Sequence, residues 1–158
     1  MSDATPSVAI RPDYEHYLTQ HAARARLESE CRPANKAALF DALAAAGITI
    51  VVVNFDGYGD SGQIESIDAR TAEAEATLPD ATITLADPLW DGSGVEPVTV
   101  SVAEAIERLS YDFLREVASG WENNDGAFGE FTFDVAARTI ALDYNERLTT
   151  SEFYAYEF

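Results

Sequence analysis

Carboxylates and amides crowd two short stretches of this chain, and a hard cation or a hydrolytic centre would draw on such oxygen donors. The first stretch holds Asp56, Asp60 and Glu65 around Gly57-Tyr58-Gly59 and Ser61-Gly62. The second is Trp121-Glu122-Asn123-Asn124-Asp125-Gly126, with Glu130 close behind. Calcium and magnesium take several carboxylate, amide and carbonyl oxygens, which both stretches supply. Carboxylates paired among Glu122, Asp125, Glu130 and Asp143 could likewise divide acid and base roles in a hydrolysis. The spacing departs, however, from the Asp-x-Asp-x-Asp-Gly calcium loop, and tight turns require Asp, Asn and Gly for backbone reasons alone. Turn chemistry is the favoured reading, so no catalytic residue, metal ligand or cofactor is assigned. A metal-dependent hydrolase or Ca/Mg-binding module on the Asp56–Glu65 and Glu122–Glu130 loops stands as the alternative.

Other chemistries find less. Cys31 has His16 and His21 upstream, but nothing places an imidazole beside it, and Glu28 and Glu30 would hold a thiolate back. Ser61, within Gly59-Asp60-Ser61-Gly62, lacks a positioned histidine. Gly57-Tyr58-Gly59 lacks the third glycine of a dinucleotide loop, and Lys36, the only lysine, follows no P-loop.

Charge points elsewhere. The 158 residues include 28 acidic and 10 basic ones, a net charge of −18, and residues 80–158 hold 16 of the acids against 4 bases. Such a surface repels phosphate backbones and anionic lipids, which argues against direct nucleic-acid or membrane binding and for a basic partner protein or nucleic-acid-binding complex. The contact residues expected on this account are Asp56, Asp60, Glu65, Trp121, Glu122, Asp125, Glu130, Asp134, Asp143 and Glu146, since aromatics set among acids make good protein-binding surfaces. A lone cysteine, no basic-then-apolar leader at Met1–Ile10 and a longest apolar run of only Ile48–Val53 make the cytoplasm the expected compartment.

The elements that must position these residues read as one α+β domain, residues 1–158, with residues 1–12 loose: a mostly antiparallel sheet against two N-terminal helices and one central helix. A helix from Asp13 should stop near Cys31–Arg32, because Pro33 disfavours helical geometry before it; a second runs from Ala34 to Ala46 and ends at Gly47. Ile48–Phe55, β-branched and nearly all apolar, predicts a central strand covered on both faces, with Gln63–Asp68 returning antiparallel. Ala81–Ala86 and Pro97–Val100 read as further strands. Ser101-Val102-Ala103-Glu104 is a capping box opening a helix with Val102, Ala105, Ile106, Leu109, Phe113 and Val117 on one stripe. Phe131, Phe133 and Val135 alternate with Glu130, Thr132 and Asp134, and the chain turns at Ala136-Ala137-Arg138 into Ile140, Leu142 and Tyr144: a hairpin. The aromatic tail Glu152–Phe158 is expected to dock on the core.

Gly120-Trp121-Glu122-Asn123-Asn124-Asp125-Gly126-Ala127-Phe128-Gly129-Glu130-Phe131, with Asp143-Tyr144-Asn145-Glu146-Arg147, resembles an uncharacterised family of small acidic bacterial proteins. Phe55-Asp56-Gly57 and Gly59–Glu65 fit the same family, and the resemblance spans roughly residues 35–158. It implies a bacterial setting and a link to mobile elements, in plasmid- and phage-rich gene neighbourhoods, and it carries over no catalytic residue. The function expected is a non-enzymatic acidic protein engaging a basic partner. Its sharpest form is a DNA mimic inhibiting a host nucleic-acid-binding defence system, as anti-CRISPR or antirestriction proteins do.

Overall fold

The computed structural model describes residues 12–158, so the expected loose start falls almost wholly outside the described residues. The chain divides into two compact units: residues up to Ala38 with Thr82–Val100, and Leu39–Ala81 with Ser101–Phe158.

Helix α1 spans Pro12–Ala45 without interruption, 34 residues with Pro33 inside. Two helices were expected from the sequence there, so the count among the described residues is two, not three. The reason lies in which way Pro33 faces. Proline removes one N–H and crowds the carbonyl four residues back. Here Pro33 and Ser29 are both exposed, so water can satisfy the Ser29 carbonyl. Asn35 then fastens the next turn: its side-chain amide donates to Ala86 O at 3.0 Å and its oxygen accepts from Ala86 N–H at 2.9 Å. Restoring the missing bond with Pro33→Ala should stabilise this unit by about 1–3 kcal/mol, read as a higher midpoint in a far-UV melt. A lower midpoint would show that proline geometry shapes the helix.

In the same unit β4 (Thr82–Pro88) and β5 (Val95–Ser101) make a separate two-stranded sheet. Both strands were anticipated, but not their separation from the main sheet. The connecting turn rests on α1: a Cβ on Gly92 would lie 2.8 Å from Ala23 Cβ.

The acidic unit is built on β1 (Ile50–Tyr58), β2 (Ser61–Arg70), β3 (Glu75–Ala76), β6 (Ala127–Asp134) and β7 (Thr139–Glu146), in the order β3-β2-β1-β6-β7 with every pairing antiparallel. Helix α2 (Val102–Val117) starts where the capping box predicts: Ser101 Oγ accepts from Glu104 N–H at 3.1 Å. The Glu104 carboxylate turns to Arg108, 3.3 Å away. One sheet face is sealed. Phe113 of α2 lies 6.2 Å from Phe131, and Phe40, in the last turns of α1, lies 6.3 Å from Phe133. Val51, Val53, Phe55, Phe131 and Phe133 are buried on that face. A bulge shifts the β1–β2 register at Asn54/Phe55, and Tyr111 Oη accepts the Ile64 N–H there at 3.0 Å.

The other face of β1 is open, contrary to a strand covered on both sides: Ile50 is 37 % exposed, and Val52, Asn54 and Asp56 are only half-buried. β-branched residues suit a pleated, half-buried strand as well as a fully buried one, so their run did not discriminate. The aromatic tail is a second correction. Residues 148–158 are all exposed, and Phe153, Tyr154, Tyr156 and Phe158 cover no core. No helix among the described residues is long and apolar enough to cross a membrane.

Candidate partner-binding face

The two polar loops meet in space. Gly59 N–H donates to Asn124 O at 3.2 Å, and Asp60 N–H to Glu122 O at 2.9 Å. Asp60 and Asn124 both take positive φ, the conformation Asp and Asn tolerate best after glycine. Trp121 fills the gap between the loops. It is 7 % exposed, its ring stands edge-on to Phe55 at 5.3 Å, and side chains on Gly57 or Gly62 would strike it. The loops therefore join through backbone and indole. Among the described residues no three of His, Cys, Asp and Glu gather where they could hold a metal ion.

Arg147 ties the same end of the sheet. Its Nη1 donates to Gly57 O at 3.1 Å, its Nη2 lies 2.8 Å from Asp56 Oδ1, and its guanidinium stands 4.8 Å over the Phe128 ring. Asp56 Oδ1 is buried without an aligned hydrogen bond, so this ion pair is what offsets its desolvation. The sequence placed Arg147 in a shared motif but gave it no role. Its reach across ninety residues of chain is visible only in the fold.

The open face carries the charge. Register sets Glu130 directly opposite Asp143 on β7 and opposite Asn54 on β1. Asp56 faces Phe128, which faces Asn145; Asp68 faces Val52, which faces Thr132. Two carboxylates directly opposed on neighbouring strands repel each other and cost stability. This pair is held there by the ladder and is not neutralised by a partner of opposite charge in the register. The whole acidic unit has 20 acidic and 5 basic residues, whereas the other unit has 8 and 5.

The ten expected contact residues thus separate. Asp56, Glu130 and Asp143 share the open face. Asp134 lies at its far end, where Oδ1 accepts from Ala137 N–H at 3.1 Å and closes the β6–β7 turn. Asp60 and Asp125 are exposed at the loop junction, where Glu122 is half-buried. Glu65 is exposed at the bulge of β2. Glu146 pairs with Ala127 and so points to the opposite face from Asp143, and Trp121 lies inside. Asp68, on the open face, was not singled out from sequence; register alone brings it there, on the same face as the exposed aromatic Phe128. Cys31 stands apart in the other unit, its thiol pushed above the usual range by burial and by the charges of Glu30 and Asp87.

No curated protein and no solved structure matches the chain. Residues 31–158 match the family described as "Family of unknown function (DUF6878)", which takes in all five strands of the acidic sheet, α2 and the tail, and the chain belongs to that family.

Proposed function

We propose that this chain is a non-enzymatic, cytoplasmic binding protein whose open sheet face engages a basic partner protein. The observation that carries it is the opposed Glu130–Asp143 pair on an uncovered face, within a unit holding 20 acids and 5 bases. A fold that accepts like-charge repulsion at a fixed place gains from an incoming cation there, because one basic group relieves two carboxylates. In its sharpest form the partner is a host defence complex that binds nucleic acid, and the face occupies its phosphate-binding groove; the chain then acts as an anti-CRISPR or antirestriction DNA mimic of a bacterial mobile element. Complementary charge of this kind speeds encounter and weakens with salt.

The test is competition with duplex DNA for CRISPR effector and restriction nucleases across a salt series. Wild type should displace DNA, less so as salt rises. Glu130→Gln with Asp143→Asn should lose about tenfold in affinity, in the range of close interfacial charge pairs. The same variant should be as stable as wild type or more so, by roughly 0.2–1 kcal/mol, since the repulsion is gone. Undiminished competition by that variant would remove the face from the binding account.

A further inference from the structure

The first turns of α1 carry a feature that the acidic face does not use. Tyr14, Tyr17, Leu18 and His21 follow steps of three and four residues and so form one stripe. Tyr14, Tyr17 and Leu18 are 54, 57 and 43 % exposed, and the rings of Tyr14, Tyr17 and His21 stack along the stripe. Gly92 of the β4–β5 turn sits against Ala23 and the backbone of Gln20 and Arg24, while Tyr14, Tyr17, Leu18 and His21 stay exposed. Flanking charges are ordered: Asp13 and Glu15 come first, Arg24 and Arg26 eleven residues later. Eleven residues are about three turns, so Asp13 and Arg24 lie on one flank of the stripe and Glu15 and Arg26 on the other.

We propose that Asp13–Arg26 forms an antiparallel two-helix interface with the same residues of a second copy of this chain. When two such helices meet head to tail about a two-fold axis near Thr19–Gln20, each flank faces its own counterpart. Asp13 then meets the partner copy's arginine at 24, Glu15 meets its arginine at 26, and each contact occurs twice, as an isologous interface requires. Tyr14 falls opposite the small side chain at 25, and Leu18 opposite the imidazole at 21. Arg24 has one ion pair in its own helix, to Glu28 at 3.9 Å, and a guanidinium has five N–H donors to share. Global charge favours the same location. Two chains of net −18 repel, but residues 1–38 contain five acids and five bases and present the least repulsive approach. The arm lies before residues 31–158, the span that matches the family, and shares no residue with the acidic face. A helix pair of about 21 Å buries a modest area, which sets a reversible dimer rather than an obligate one.

Sedimentation equilibrium of the full chain tests this. Wild type should show a monomer–dimer equilibrium. Leu18→Glu should raise the dissociation constant at least about tenfold, with the far-UV helix signal kept because the residue is exposed. The double variants D13R/E15R and R24E/R26E should each fail to dimerise alone and should form a mixed dimer when combined. A wild type that stays monomeric, a dimer indifferent to these changes, or double variants that do not rescue each other would overturn the interface.

Discussion

Gly126→Ala is expected to destabilise the acidic unit by about 3 kcal/mol or more, because a left-handed backbone and a main-chain collision add at one position. Gly126 has φ +79°, and a Cβ there would sit 1.7 Å from Gly57 O and 2.6 Å from Gly57 C. Gly57 cannot retreat. Its carbonyl accepts from Arg147, its backbone is in register with Gly62 and Ala127, and Trp121 closes its other side. Gly59→Ala is the control: its φ is +58°, but nothing lies within 4 Å of the new methyl, so only the backbone cost of about 1 kcal/mol applies. Urea unfolding of the two variants separates these contributions. Equal losses would mean that the loops do not pack as closely as their hydrogen bonds require.

This contrast also marks what a sequence can disclose. Local signals were readable: the Ser101 cap with its apolar stripe located α2, and alternation from Glu130 to Tyr144 located the β6–β7 hairpin and its faces. Both rest on neighbours within a few residues. The glycines at 57, 62 and 126 read as turn formers, yet two of them are small because an indole from another loop lies over them. That reason needs a partner some sixty residues away. Pro33 misled in the opposite sense, since its effect depends on whether the orphaned carbonyl reaches water. The tail misled too: aromatic content shows what a segment could bury, but not whether a surface waits to receive it. The acidic face was half legible. Its charge was plain from composition, but the opposition of Glu130 and Asp143 depends on a strand register that hydrophobic pattern and turn length fix together.

Trp121→Ala should cost about 3–5 kcal/mol, the range for removing a large aromatic from a core. It should nonetheless leave intrinsic affinity for a basic partner unchanged at temperatures where the variant stays folded. The indole is uncharged, 7 % exposed and packs edge-on to Phe55, which is buried on the sealed face. A second substitution makes the assignment sharper. Gly62→Ala in the wild type drives a methyl to 2.4 Å from the ring and 3.0 Å from Glu122 Cβ, and Gly62 has no positive φ to add strain of its own. With the ring gone, most of that collision goes with it. Gly62→Ala should therefore be destabilising in wild type and close to neutral beside Trp121→Ala, a coupling of about 1–3 kcal/mol for residues in direct contact. Additive losses would place the indole away from Gly62, and the joint between the two loops would then have to rest on Arg147 and the backbone bonds alone.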